Sequence, residues 1–249
     1  LSDEKKFYDE NLQSKNINDV GSIKRARRKM MTDNTRRAEL VSKIITKRSR
    51  ILEIGSGHGF FLDIMKKNGY DITGFEISKE KRKYSKKVTK VPVLDININE
   101  KIPTVKPFDI VVLFHTLEHI IDPVILLKNI KKLLKPKGKV LVEVPNCDDF
   151  HLGLNKFYKE FYWERAHIHY FNSKSLKTVI NLGGFKGIKI TGVQRYSIEN
   201  FFHWRLKNKP QMENPTYSLS GELNWLDESY KKYLERNLIC DTLISIANI

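Results

Sequence analysis

Cysteine is almost missing from this chain: Cys147 and Cys240 are the only two among 249 residues. Two thiols without a metal-type spacing exclude a disulfide framework and a cysteine-based zinc site, and they suit a reducing compartment. No run of about 18 apolar residues occurs, so no membrane-spanning helix is expected. The N-terminus has no charged-then-apolar leader pattern, and Leu1 in place of an initiator Met suggests a start trimmed from a longer chain. A cytoplasmic location is the expectation. Acidic charge is in deficit, 29 Asp and Glu against 45 Lys and Arg, for a net +16. That balance admits nucleic acid, an anionic membrane surface or a phosphorylated substrate as partner. The pairs Lys66-Lys67, Lys86-Lys87 and Lys131-Lys132 read as solvated helix faces in a composition rich in Lys, Asn and Ile. With 40% apolar residues, the chain suffices for one full core and is too short for two large domains.

Against this background, the segment Ile51-Leu52-Glu53-Ile54-Gly55-Ser56-Gly57-His58-Gly59-Phe60-Phe61-Leu62 runs an apolar strand into three alternating glycines and then a helix, about Phe60 to Asn68. Glycines there allow positive φ and remove the Cβ atoms that would block a ligand, while the helix points unpaired amides at it. A dinucleotide fingerprint is G-x-G-x-x-G; this turn reads G-x-G-x-G, with Glu53 two residues before the first glycine. The stretch Tyr70 to Ile77 is a second strand ending in Glu76, 21 positions after Gly55, where a carboxylate can accept both ribose hydroxyls; an exposed strand-end acid is the plain alternative. Val91 to Ile96 is a third short strand carrying Asp95. Phe108 to Phe114 is apolar on both faces, as a central parallel strand requires, and it opens into His115-Thr116-Leu117-Glu118-His119-Ile120-Ile121-Asp122-Pro123. Asp122 can cap a helix with Pro123 at its first position. Apolar Val124, Leu127, Ile130, Leu133 and Leu134 recur at helical spacing until Pro136 and Gly138 stop it, and Gly138 to Asn146 supplies a fifth strand. Alternating strands and helices imply a doubly wound α/β sheet whose ligands sit outside the carboxyl ends of the strands.

These motifs, over about residues 50 to 146, resemble those of the class I S-adenosylmethionine-dependent methyltransferases. The Glu53 to Gly59 turn is similar to their motif I. The string His115 to Pro123 resembles motif IV of the small-molecule branch and not the Asp-Pro-Pro-Tyr of enzymes that methylate exocyclic base amines. The resemblance implies a Rossmann-like, doubly wound seven-stranded sheet with the last strand antiparallel, and S-adenosyl-L-methionine as methyl donor, leaving as S-adenosyl-L-homocysteine. It places Glu53 near the donor's ammonium, the glycines near its ribose and Asp95 at the adenine amino group. The implied donor shell is Glu53, Gly55, Ser56, Gly57, His58, Gly59, Phe61, Glu76, Ile77, Asp95, Ile96, His115, Leu117 and His119.

Acceptor identity should reside elsewhere. Lys24-Arg25-Ala26-Arg27-Arg28-Lys29 packs five cations into six residues, with Arg36-Arg37 after it, in a segment from about Val20 to Lys47 that reads as one or two helices with apolar Ile23, Met30, Met31, Leu40, Val41, Ile44 and Ile45. Such an addition either covers the donor cleft, bringing Arg27, Arg28 and Tyr8 to an anionic acceptor, or merely caps the sheet. The aromatic stretch Phe157 to Phe171 carries His167 and His169 and leads through Asn172-Ser173 into a helix ending at Gly183-Gly184-Phe185. This arrangement resembles the surface-sugar methyltransferases, which implies His167 at the acceptor. Neutral imidazole can take a hydroxyl proton near neutral pH; His169 is the alternative base, and packing of both against the aromatics is the structural one. Lys186 to Val193 alternates as a sixth strand, Asp241 to Asn248 resembles the last strand, and 195 to 204 resembles a lid. Tyr170, Arg195, Tyr196, Asn200 and His203 are therefore acceptor candidates and Trp204 a core residue. Lys209-Pro210 lacks the glycine-rich turn of those relatives, and Leu223 to Leu238 reads as a helix burying Trp225, Leu226, Tyr230, Tyr233 and Leu234.

The expected organisation is a helical cap over 1–48, a methyltransferase core over 49–194 with 240–249, and a lid over 195–239. The expected activity is O-methylation of a small sugar-linked or phosphate-bearing acceptor in capsular surface polysaccharide synthesis, with no metal needed. Two other readings stand. His115-x-x-Glu118-His119 with His167 or His169 resembles the metal set of small-RNA 2′-O-methyltransferases, with RNA matched to the basic N-terminus. The third is a non-catalytic binding scaffold of the same fold.

Overall fold

Ile51, Leu52 and Ile54 are buried in β1 (Arg50–Ile54), which ends where the first glycine turns the chain. The computed structural model describes residues 20–211 and 221–249; Tyr8 and residues 212–220 lie outside them. The further elements are α1 (Val20–Ile44), α2 (Phe60–Lys67), β2 (Asp71–Phe75), α3 (Lys79–Thr89), β3 (Val93–Leu94), β4 (Phe108–Phe114), α4 (Pro123–Leu133), β5 (Leu134–Pro145), α5 (Lys156–Tyr162), α6 (Ser173–Leu182), β6 (Lys186–Val193), α7 (Ile198–Lys207), α8 (Asn224–Arg236) and β7 (Thr242–Asn248). The strands form one seven-stranded sheet in the order β3-β2-β1-β4-β5-β7-β6. β1 pairs parallel with β2 and β4, β2 parallel with β3, and β6 antiparallel with β7. This is the expected Rossmann-like sheet with its last strand antiparallel.

The chain divides into two compact units. The first comprises Leu1–Leu113, Lys128–Val140 and Ile249. Within it, α1 packs on α2, pinned by an ion pair from Arg27 to Asp63, which Lys67 also meets at 2.9 Å. The buried stripe of α1 runs through Asn34, Arg37, Ala38 and Val41, at helical spacing. A polar pair thus occupies part of the expected apolar face, and Met30 and Met31, expected on it, are exposed.

The second unit comprises Phe114–Leu127 and Leu141–Asn248. Asp122 Oδ1 accepts from the amide of Ile125 at 2.9 Å, the expected cap before Pro123. Asn172 and Ser175 form a reciprocal capping box that starts α6. Trp204 is buried, as expected, against Tyr158 and Phe161. The expected burial of Trp225 and Tyr233 fails: both are exposed, while Leu234 is buried. At about 100° per residue, Trp225 falls roughly opposite Leu234 on the helix and Tyr233 about a quarter turn away. The side facing inward instead carries Asp227, whose Oδ1 accepts from the amide of Ile198 at 2.8 Å. The fifth strand also starts earlier than expected, running from Leu134 through Pro136 and a left-handed Lys137.

Candidate active site

In the first unit, Gly55, Gly57 and Gly59 all have positive φ, at 74°, 53° and 78°. The amides of Gly55 and Ser56 donate to the carbonyl of Phe75 at the end of β2, and this fixes the turn against the acid that follows. Glu76 Oε2 accepts from the Gly57 amide at 2.6 Å and its Oε1 from the Ser78 amide at 2.8 Å. A Cβ on Gly59 would lie 2.1 Å from Ser85 Oγ, whereas one on Gly57 would meet nothing within 4 Å. Gly59 serves packing; Gly57 borders open space.

Glu53 is buried, and its Oε2 has no hydrogen-bond partner. Burial drives its carboxyl well above the ordinary range; the charge of Arg37 works against that and the charge of Glu76 with it. Arg37 is itself buried, on α1, and sequence reasoning had seen it only as part of a basic run. A buried carboxyl with an unsatisfied oxygen, two residues before a turn that borders open space, fits a ligand bearing an ammonium group.

The rest of the expected donor shell in this unit divides by environment. Asp95 is paired with Arg82 at 2.8 Å and half exposed. Ser56 is buried with its hydroxyl unpartnered. His58 stacks on Phe60 and meets the edge of Tyr84, and burial, aided by the charge of Lys81, pulls its pKa down to about 4, so it is neutral at pH 7. Phe61 is core, and Ile77 and Ile96 are half-buried. Arg27 is committed to Asp63, and Arg28 is exposed on α1.

In the second unit, the turn after β4 carries a dense polar group. His115 is a non-glycine residue at φ 47°, a backbone state that persists only where its surroundings hold it. Its Nδ1 lies 3.3 Å from Glu118 Oε1 and its Nε2 3.4 Å from Glu143 Oε1, both acids wholly buried. Burial opposes the charged imidazole, but these two carboxylates outweigh it and raise the pKa of His115, against the nearby charge of Arg195. Glu143 was missed in the sequence; an acid inside the apolar run Val140 to Val144 was its only signal. Leu117 is core.

Backbone bonds bring His167 here from far along the chain. The carbonyl of Glu118 accepts the amides of Ile168 and His169 at 2.9 and 3.0 Å, and His119 Nδ1 donates to the carbonyl of Ala166 at 2.8 Å. The His119 and His167 rings consequently sit 4.9 Å apart, and one donor atom from each of Glu118, His119 and His167 falls within 4.8 Å of the others. His167 Nδ1 and both Glu118 oxygens are buried without a normal hydrogen bond. Burial lowers the pKa of His167, so the ring is held neutral. His169 faces elsewhere, its Nε2 3.2 Å from the carbonyl of Ile121. Geometry thus separates the two candidate histidines, and only His167 joins the cluster.

Among the acceptor candidates, Arg195 is held by Asp241 through Nε at 2.7 Å, reaches within 3.4 Å of His115 Nε2 and lies over the Tyr196 ring. Tyr170 OH accepts from the Glu164 amide at 2.7 Å. Asn200 and His203 are not brought to the cluster: Asn200 Oδ1 accepts from the amide of Gln211, and His203 Nδ1 donates to the carbonyl of Lys209.

The family described as a methyltransferase domain matches residues 23–190. The chain belongs to it. The methyltransferase is similar, at 24% identity over 180 residues, to the ubiquinone biosynthesis O-methyltransferase of Coxiella burnetii strain Dugway 5J108-111, covering 64% of this chain and 73% of that one. Among solved structures it resembles a SAM-dependent methyltransferase from Archaeoglobus fulgidus, with TM-score 0.63 and 20% identity over 88% of this chain and 94% of the other. It also resembles the Haemonchus contortus phosphoethanolamine N-methyltransferase 2 in complex with phosphomonomethylethanolamine and S-adenosylhomocysteine, with TM-score 0.57 and 21% identity, covering 82% and 49%. The chain is thus an S-adenosylmethionine-dependent methyltransferase, and no helix among the described residues is long and apolar enough to cross a membrane.

Proposed function

We propose that this methyltransferase acts on a hydroxyl oxygen of a small polar acceptor, sugar-linked or phosphate-bearing, in surface polysaccharide synthesis. The observation that carries the oxygen assignment is the Glu118, His119 and His167 cluster: neutral imidazole beside a buried carboxylate can take up a hydroxyl proton, a need that amine acceptors lack once neutral. The Coxiella relative, named an O-methyltransferase, agrees with this choice. The sugar setting rests on the likeness of residues 195 to 204 to a lid, in which Arg195 approaches His115 Nε2 at 3.4 Å and lies over the Tyr196 ring.

S-adenosylmethionine, when bound, supplies an electrophilic methyl group. Glu53 is the group for its ammonium, Glu76 for the ribose hydroxyls, Asp95 for the adenine amino group and Arg37 for the carboxylate of the methionine part. Holding the acceptor oxygen in line contributes most of the rate enhancement. The test is methyl transfer from isotopically labelled S-adenosylmethionine to a panel of sugar phosphates, nucleotide sugars, catechols and primary amines. Label in hydroxyl compounds, lost in His167→Ala, supports the reading; label confined to amines overturns it.

A further inference from the structure

The chain from Trp163 to Tyr170 is closed on itself through the backbone of one residue. The Glu164 amide donates to Tyr170 OH at 2.7 Å, and the Glu164 carbonyl accepts the amide of His167 at 3.1 Å. Trp163 ends α5, its amide bonded to the carbonyl of Lys159 at 3.0 Å, and α5 is anchored by the bond from buried Tyr158 to Asp149. These bonds set three rings in a row. The Tyr170 ring lies 4.3 Å from Trp163 at an interplanar angle of 72°, and 5.3 Å from His167 at 64°. Trp163 nevertheless keeps 48% of its surface exposed. A fixed indole left half in water, one ring away from the acceptor histidine, forgoes apolar burial that a stacked ligand would supply.

We infer that Trp163 and Tyr170 form a saccharide subsite next to His167, and that the acceptor is a disaccharide or longer glycan. The hydroxyl to be methylated belongs to the sugar over Tyr170, and the neighbouring sugar unit stacks on Trp163. An aromatic face is apolar and electron-rich. It complements the apolar, weakly positive C–H face of a pyranose and leaves the hydroxyl edges free for water or polar groups. Tyr170 stands between the indole and the imidazole, so a ring on Trp163 is offset by one unit from a hydroxyl at His167. Tyr170 OH also donates to the Glu164 carbonyl at 3.1 Å, so the ring of Tyr170, and not its hydroxyl, meets the acceptor. Trp163 touches no reacting atom; it selects acceptor length, and His167 keeps its place as the base. The position of the methylated hydroxyl rests on the methyl-transfer reading; stacking on Trp163 does not.

The test is titration of the S-adenosylhomocysteine-saturated protein, followed by saturation-transfer NMR. The probes are methyl glycosides of glucose, mannose and rhamnose, the matching disaccharides and the matching phenyl monoglycosides. A disaccharide should bind about tenfold more tightly than its monosaccharide, with saturation reaching both rings. That advantage should fall below about twofold in Trp163→Ala and return in part in Trp163→Phe. Trp225→Ala, a change at an indole exposed on α8, should keep it. Calorimetry with S-adenosylhomocysteine checks that each variant is folded. Absence of disaccharide binding, equal affinity for one and two units, or an advantage unchanged in Trp163→Ala overturns the subsite. An advantage confined to the phenyl glycosides overturns its sugar assignment. Labelled methyl transfer to the same compounds separates this inference from the reading it extends. Label in single and double sugars alike, unaffected by Trp163→Ala, removes the subsite and leaves the methyl-transfer reading. Disaccharide binding that depends on Trp163 but never yields label does the reverse.

Discussion

The backbone amide of Gly57 donates to Glu76 Oε2 at 2.6 Å. The acid at the end of β2 therefore braces the glycine turn as well as standing where ribose hydroxyls are expected, because its other oxygen is held by the Ser78 amide. Replacing it by Gln sets an NH2 group against one of these two donors. Leaving a buried donor unsatisfied costs about 1 to 3 kcal/mol. Glu76→Gln should lower the thermal midpoint and weaken S-adenosylhomocysteine binding together, measured by calorimetry; loss of affinity without loss of stability would show that the brace carries no energy.

Gly57→Ala separates conformation from occupancy. A methyl group there meets no protein atom, but alanine at φ 53° costs about 1 to 2 kcal/mol. Unfolding in denaturant should register about that cost. Donor affinity should fall further, since the open space beside Gly57 is assigned to the donor. Equal losses in stability and affinity would put the ligand elsewhere.

Glu53 makes donor binding pH-dependent. Burial holds its folded pKa above the unfolded value. Its contribution to stability is fully present below the unfolded pKa and is lost as pH rises through the folded pKa. A cationic ligand favours the carboxylate, so binding below the folded pKa should release a proton. Calorimetric enthalpies for S-adenosylhomocysteine should vary with buffer ionisation enthalpy, and the dependence should vanish in Glu53→Gln. Identical proton release in wild type and variant would contradict the assignment.

Asp149 ties three elements of the second unit together. Its oxygens meet the His151 ring at 2.6 Å and Tyr158 OH at 2.5 Å, and His151 Nε2 meets Tyr230 OH at 2.6 Å. Asp149→Ala leaves these buried partners unsatisfied, and about 3 to 5 kcal/mol of stability should be lost in denaturant unfolding. A loss below about 1 kcal/mol would mean that the neighbours repack.

What could be read in the sequence was local. Strand, turn, helix and terminal acid from Ile51 to Glu76 are set by neighbours within a few residues, so glycine spacing and apolar runs were enough. The choice between His167 and His169 was not local, because it depends on the amides of Ile168 and His169 finding the carbonyl of Glu118 about fifty residues earlier in the chain. Arg37 is hidden in a basic run, and the apolar run around Glu143 is the one local sign that this acid is buried. Trp225 and Tyr233 were assigned to a buried side by residue type, whereas the helical phase is set by Leu234 and Asp227.

Calorimetric titration of the protein and of Gly57→Val with S-adenosylmethionine tests the central claim most directly. Stoichiometric binding by the wild type and its loss in a variant that still unfolds cooperatively are the expected results. Absence of binding by the wild type, or undiminished affinity in Gly57→Val, would contradict the assignment of the glycine turn to the methyl donor.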